Sequence, residues 1–352
     1  MKNLVTGATG LLGSHIVEQL VREGEKVRCL VRKTSNTSFL DTLNVEKVYG
    51  DITDPGSLIA AFKDIDIVCH CAAKVSDWGP WEEFERTNVH GTRNCVDAAL
   101  QAGVKRFLYV STEAVYGYHR LRENAIDETA PLADCFRRWD FYDQTKVLAE
   151  ELVWRLAHSR GLGVSMIRPG WIYGPRDRFS LKRLIRFVQS PLVAVIDRGA
   201  NLLNLVHAVD VANAAILAAR EKVACNQVYN VNSEERITAK NFFDTLVSLV
   251  IKGKTMIRSI DYSIAYAIAT IMEMESRFRG TDAPPLLTRY AVVGLSCKNT
   301  FVVDKAKREL GWYPQIPFQE GIREAIEWCL QTLGEDHKWL ERTSRTHEII
   351  RR

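Results

Sequence analysis

The chain has no apolar run long enough to cross a bilayer. Its least polar stretch, 264–272, lies between Asp261 and Glu273 and falls far short of the roughly 20 residues a spanning helix needs. No transmembrane anchor is therefore expected. The N-terminus lacks a charged region followed by an apolar run and a small-residue cleavage site, so neither a signal peptide nor a presequence is expected. Cysteine is sparse in the sense that matters: the eight, at 29, 69, 71, 95, 135, 225, 297 and 329, form no CxxC pair and no cluster with histidine. That argues against a metal site and for small buried thiols in a reducing, cytoplasmic compartment. A surplus of one charge is also missing. Forty-seven Lys and Arg face 43 Asp and Glu, a formal +4 over 352 residues. Such a balance gives no reason to expect a nucleic acid partner. Repeats and low-complexity tracts are absent, and a hydrophobic content of 46% excludes disorder as the main state.

What is present is alternation. In the first half, short apolar runs at 3–6, 27–31, 45–49, 66–72, 105–111 and 164–169 are separated by amphipathic stretches near 12–23, 55–62, 88–101 and 141–160. Strand, helix, strand in this spacing predicts an α/β fold, a doubly wound parallel sheet of about six strands. The second half is less regular and predicts a smaller, mixed lobe. It holds a basic helix near 180–189, an apolar stretch 201–219 with Asp210 as a candidate cap, a strand at 227–231 and a helix in 237–250 capped by Thr238. The segment 262–278 is apolar nearly all round and is expected to lie between other elements or to line a pocket. Short helices are expected at 305–312 and 318–332. The resulting division is 1–180 for dinucleotide binding and catalysis and 181–332 mainly for substrate, some elements returning to the first domain. A tail covers 333–352.

The most specific local signal is Gly7-Ala8-Thr9-Gly10-Leu11-Leu12-Gly13, at the end of the first strand and the start of the first helix. Glycines there let the chain turn tightly and let backbone N–H groups approach a pyrophosphate at a helix N-terminus. The second strand ends in Arg32 and Lys33 where an acidic residue would bind the ribose hydroxyls of NAD. Positive charge there suits a 2′-phosphate, so NADP(H) is expected over NAD(H). Asp51 and Ile52, after the third strand, are placed at the adenine. Ala72, Ala73 and Lys74 follow the fourth strand, where the backbone must pass close to the cofactor; His70 beside them reads as a packing residue.

Tyr142 and Lys146 are four residues apart and share one side of a helix. A phenol with a pKa near 10 is a poor base at neutral pH, but an adjacent ammonium favours its phenolate and lets it exchange a proton with a substrate hydroxyl. Thr112 follows the fifth strand and can hold the substrate oxygen opposite Tyr142. Ser111 competes for that role, although strand alternation sends the two hydroxyls to different faces. Aromatic residues gather near the same strand ends: Trp78 and Trp81, Trp139 and Phe141, Trp171 and Tyr173. A rim of this kind suits a fused-ring or long aliphatic ketone.

With Gly7–Gly13, Asn88-Val89-His90-Gly91-Thr92, Ser111-Thr112 through Tyr116-Gly117, Tyr142/Lys146 and Arg168-Pro169-Gly170 through Gly174-Pro175, the chain resembles the extended short-chain dehydrogenase/reductases, from residue 2 to about 330. Within them it looks most like the 3β-hydroxysteroid and sterol-4-carboxylate dehydrogenase branch, through residues 70–78, the helix ending near Glu273 and residues 284–289. The resemblance implies Thr112, Tyr142 and Lys146 as the catalytic set, with Asn88 supporting the site. It also places Pro169, Gly170 and Ile172 at the nicotinamide. Glu113 matches the first acid of nucleotide-sugar dehydratases, but Ala114 cannot supply the second, which disfavours that elimination. The implied function is NADP(H)-dependent hydride transfer to or from a hydrophobic secondary alcohol or ketone, possible pairing of two chains through 88–101 and 141–160 included. Two alternatives stand beside it: a nucleotide-sugar epimerase or reductase, and a non-catalytic NADP(H)-sensing interaction protein.

Overall fold

The computed structural model describes residues 1–118, 125–191, 193–251 and 257–334; residues 335–352 of the expected tail lie outside the described residues. The first half forms β1 (Lys2–Thr6), α1 (Leu11–Arg22), β2 (Lys26–Val31), β3 (Glu46–Tyr49), α2 (Pro55–Phe62) and β4 (Ile67–His70). It continues with α3 (Trp81–Phe84), α4 (Gly91–Gln101), β5 (Arg106–Val110), α5 (Phe141–Arg160) and β6 (Gly163–Pro169). Then come β7 (Trp171–Tyr173), α6 (Ser180–Val188), β8 (Ala194–Ile196), β9 (Leu205–His207), α7 (Ala208–Arg220) and β10 (Gln227–Val231). The remainder is α8 (Ala239–Val250), β11 (Arg258–Ile260), α9 (Tyr262–Phe278), α10 (Arg289–Ser296), α11 (Asp304–Leu310) and α12 (Phe318–Gly334).

The main sheet has seven strands in the order β10-β6-β5-β4-β1-β2-β3, and every pairing is parallel. This is a doubly wound Rossmann-like sheet, with β10 from the second half added as the outermost strand. Its central strands are buried on both faces, which is why they read as continuous apolar runs. On one face α1 and α7 pack through Leu12, Ile16, Leu20, Val211 and Ala215. On the other lie α2, α4 and α5, with Phe62, Val96 and Val153. Each large side chain so buried contributes roughly 1.5–3 kcal/mol. α5 ends where the sequence predicts, at Gly161 with φ +71°, because that left-handed residue closes the helix without a Cβ penalty.

The C-terminal helices build a distinct lobe with its own core, in which Phe242, Phe243, Phe318 and Ile322 join α8 to α12. Asp210 is not a cap. The side chain of His207 accepts from Val209 N at the start of α7, while Asp210 lies inside the helix and accepts from Gln315 N (2.9 Å) and Ile316 N (3.1 Å). Thr238 does cap α8, accepting from Asn241 N at 3.1 Å. α9 buries one stripe, Ala265, Ala269 and Glu273, and leaves Ile264, Ile271 and Phe278 exposed. Its apolar residues therefore exceed what its single packed face uses.

Candidate active site

The strand order reverses between β1 and β4, and in open α/β sheets the crevice at such carboxyl ends is where ligands bind. Gly7 leaves β1 with φ +68°, and a Cβ there would lie 2.8 Å from Ala72 N. A Cβ on Gly13 would lie 2.2 Å from Gly7 O, so the first turn of α1 sits directly on the loop. No side chain caps α1, whose Ncap is Gly10; the N–H groups of its first turn remain available to an anion. This cradle fits the pyrophosphate of a dinucleotide. Ala72 N is itself fixed to Thr6 Oγ1 at 3.2 Å, and the same hydroxyl pairs with His70 Nδ1 at 2.8 Å. The other ring nitrogen of His70 meets Thr92 Oγ1 at 3.0 Å. Burial, and then the Lys146 charge, push His70 down to about 3, so it is a neutral packing residue.

Tyr142 lies in the first turn of α5, and the Thr112 hydroxyl beyond the end of β5 is the neighbour that eases ionisation of its phenol; Thr112 Oγ1 also accepts from Ala114 N at 3.3 Å. Lys146, one turn further along, is buried; its Nζ donates to Val110 O at 2.7 Å and lies 4.3 Å from the centre of the Tyr109 ring. Burial pushes its ammonium down to about 7, with Glu150 opposing. Burial likewise pushes the Tyr142 phenol up, Asp143 adds to the rise, and Thr112 offsets it. Ser111 is committed elsewhere. Its Oγ donates to Glu150 Oε2 at 2.6 Å, and Glu150 also holds Arg168, which reaches Tyr116 OH at 2.6 Å. Ser111 thus belongs to a buried charge network beneath the sheet end, and Thr112 carries the hydroxyl on the Tyr142 side.

Asn88 links these parts. Its Oδ1 accepts from Lys74 N at 2.7 Å, and its Nδ2 donates to Lys74 O (3.2 Å) and to Thr145 Oγ1 (3.0 Å). The loop after β4 is thereby tied to the residue preceding Lys146. The Lys74 side chain pairs with Glu83 at 2.6 Å and covers Phe84.

In front of Tyr142 a small, partly open cavity is lined by Ser76, Asp77, Trp78, Gly79, Phe84, Trp139, Phe141, Glu273, Arg277 and Tyr290. Trp78 and Trp139 are where the sequence predicts. Trp171 and Tyr173 are not: Trp171 packs on Phe242 with ring centres 5.5 Å apart, and Tyr173 packs on His207 and Phe318, filling the second core. Glu113 also turns away from the cavity. It is buried beside Asn232 and Gly170, and burial pushes its carboxyl far up. Gly170 is required there, since a Cβ would meet Asn204 O at 2.6 Å. Pro169 ends β6, and Ile172 pairs with Val206 in the two-stranded β7–β9 ladder. Asp51 accepts from both Thr53 N and Thr53 Oγ1 at 2.9 Å, and Ile52 packs under Gly91. Thr9 and Leu11 are half-buried and Leu12 buried in the glycine-rich loop; Ala73 is half-buried beyond β4. Segment 262–278 does line the cavity, one of the two places expected for it, but sequence reasoning did not single out Glu273 and Arg277 within it, nor Tyr290. All three come from α9 and α10, and no motif marks which face of those helices meets the catalytic helix.

Comparison with known proteins gives a match to the model of the NAD dependent epimerase/dehydratase family over residues 3–232. The 3 beta-hydroxysteroid dehydrogenase/Delta 5-->4-isomerase of Mycobacterium tuberculosis is 30% identical, over 99% of this chain and 95% of its own. The 2-alkyl-3-oxoalkanoate reductase of Stenotrophomonas maltophilia is 28% identical, over 92% and 98%. The solved structure of MoeE5 in complex with UDP-glucose and NAD is 26% identical, with a TM-score of 0.70, and covers 95% of this chain and all of that one. Two expectations are corrected by this structure. NADP(H) is overturned as the favoured cofactor, because MoeE5 carries NAD. Arg32 and Lys33 lie exposed past the last residue of β2, and among the described residues no side-chain hydrogen bond, ion pair or ring contact holds either one in place. The second is the expected partner, a hydrophobic alcohol or ketone and no nucleic acid: MoeE5 holds UDP-glucose, a nucleotide-linked sugar. Net charge bears on polyanions, not on a single nucleotide, and the cavity carries Ser76, Asp77, Glu273 and Arg277 among its aromatic residues.

Proposed function

The chain belongs to the NAD dependent epimerase/dehydratase family, and from that premise we propose that it uses NAD(H) with Tyr142, Thr112 and Lys146 as its catalytic set. It is an NAD(P)-dependent dehydrogenase/reductase acting on CH–OH groups. The observation that carries the assignment of residues is the place of Tyr142 in the cavity lining, with buried Lys146 one helical turn behind it. Residues 1–180 bind dinucleotide, carry the chemistry and line most of the cavity, and 181–332 close it with Glu273, Arg277 and Tyr290, with β10 returning to the sheet.

Gly7 to Gly13 and the first turn of α1 would hold the pyrophosphate, and Ala72 to Lys74 would border the nicotinamide half. When bound, NAD(H) accepts or supplies the hydride. Thr112 holds the substrate oxygen, and Tyr142 gives that oxygen its proton during reduction or removes it during oxidation. Lys146 in its ammonium form stabilises the phenolate that remains, a larger effect in this dry setting than in water.

For the substrate, a nucleotide-linked sugar is supported by the full-length likeness to MoeE5 and by the polar side of the cavity. A second reading, a 3-oxoalkanoate or 3β-hydroxysteroid, is favoured by a specific feature: Phe84, Trp139, Phe141 and Tyr290 form an apolar wall beside Tyr142. Two relatives that cover over 90% of the chain are named for such substrates. The test measures NADH formation or consumption with UDP-glucose, a 2-alkyl-3-oxoalkanoate and a 3β-hydroxysteroid, in wild type and Tyr142→Phe. Loss of about a hundredfold or more in turnover, with NADH affinity unchanged, is expected for the variant on whichever substrate reacts. Turnover close to wild type would remove Tyr142 from the chemistry.

A further inference from the structure

The cavity holds three charged side chains, and two are neutralised within the protein. Asp77 accepts from Arg183 Nη1 through both oxygens, at 2.9 and 2.7 Å, and also from the Thr288 hydroxyl. Glu273 is buried and accepts from Arg289 at its backbone N (2.7 Å), Nε (2.8 Å) and Nη2 (2.7 Å). Arg277, one residue before the end of α9, is different. Among the described residues no carboxylate pairs with it. Its guanidinium lies 5.5 Å from the centre of the Trp78 ring, and Trp78 is fixed across the cavity by donating from Nε1 to Thr281 O at 3.0 Å. Arg277 is exposed at the cavity rim, and a guanidinium that faces an indole keeps N–H groups free for a carboxylate or phosphate. The cavity thus presents one uncompensated cation to whatever reaches Tyr142.

We propose that Arg277 binds an anionic group of the substrate, a carboxylate or a phosphate, while the reacting carbon lies at Tyr142. This rests on the cavity being the substrate site. It excludes neutral sterols as preferred substrates and selects between forms of one skeleton: the acid over its ester, the nucleotide sugar over the free sugar. Asp77 and Glu273 do not oppose such a ligand, because Arg183 and Arg289 already neutralise them.

The experiment titrates the full chain, saturated with NAD, by tryptophan fluorescence with three probes: decanoate, decanol and UDP-glucose. Trp78 and Trp139 report on the cavity. Wild type is expected to bind at least one of the two anions. Arg277→Met should weaken that anion about ten- to a hundredfold and leave decanol unchanged, while Arg277→Lys, which keeps the charge but loses the fork, should lie between. Decanoate and UDP-glucose distinguish a carboxylate from a phosphate source. Binding of neither anion, equal binding by wild type and Arg277→Met, or equal weakening of decanol would each overturn the proposal. Tyr142→Phe should bind the anion as wild type does. If that variant keeps turnover, the catalytic assignment fails while the anion site stands; if anion binding ignores Arg277, the reverse holds.

Discussion

The glycine-rich loop and the cavity before Tyr142 open on the same edge of one sheet, yet they are built in opposite ways. The loop is made of seven consecutive residues whose backbone forms the cradle, and its geometry follows from residues that lack a side chain. The cavity takes residues from five separate stretches: the loop after β4, α3, the approach to α5, α9 and α10. The first can be recognised in any chain that contains it. The second exists only while two lobes hold each other in register, so it can change its contents without disturbing the first. That separation suits a family in which one hydride chemistry serves unlike substrates.

Three substitutions would break or sharpen this contrast. The largest effect is expected at neither region but at their common support. Glu150→Ala strands the buried Arg168 charge and frees Ser111, and should lower stability by about 3–5 kcal/mol in urea denaturation. A loss below about 1 kcal/mol would mean that the network is wet and that loop and cavity do not share it. Gly13→Ala comes next. Its methyl would press on Gly7 O, costing about 1–3 kcal/mol, and NADH affinity in fluorescence titration should fall at least about tenfold while anion binding in the cavity survives. Equal loss of both would make the two regions one cooperative unit. The smallest effect belongs to the seam between lobes. Asp77→Asn removes a partly exposed ion pair to Arg183, worth about 1 kcal/mol, and leaves that guanidinium uncompensated beside the cavity. Melting should shift slightly, NADH affinity should hold, and the relative KM of charged and neutral substrates should move; a change in NADH affinity would show that the seam reaches the loop.

Much of the proposed catalytic end was legible in the sequence because its signals are local. Tyr142 and Lys146 share a face through helical periodicity alone, and α5 begins and ends at the predicted residues. Thr112 was separable from Ser111 by strand alternation, and the Ser111–Glu150 bond explains why only one hydroxyl remains for the site. Arg32 misled for the complementary reason: a cation at a strand end is visible in sequence, whereas its solvation is not. Trp171 and Tyr173 follow a sheet strand closely enough to suggest the ligand edge, but the chain crosses at Gly170 into the second lobe and takes them into its core. Asp210 shows the same limit on a smaller scale, since its two backbone partners at 315 and 316 lie about a hundred residues away.

The sequence by itself determined the parallel sheet, the anion cradle at the start of α1 and the Tyr–Lys pair, because glycine freedom, apolar alternation and helical spacing act over a few residues. Only the tertiary structure decided which charges in the cavity are spent and which is left. Asp77 meets Arg183 and Glu273 meets Arg289 through lobe packing, and that packing leaves Arg277 as the charge facing the ligand. Pairing between distant side chains depends on where whole helices come to rest, and no local pattern encodes it.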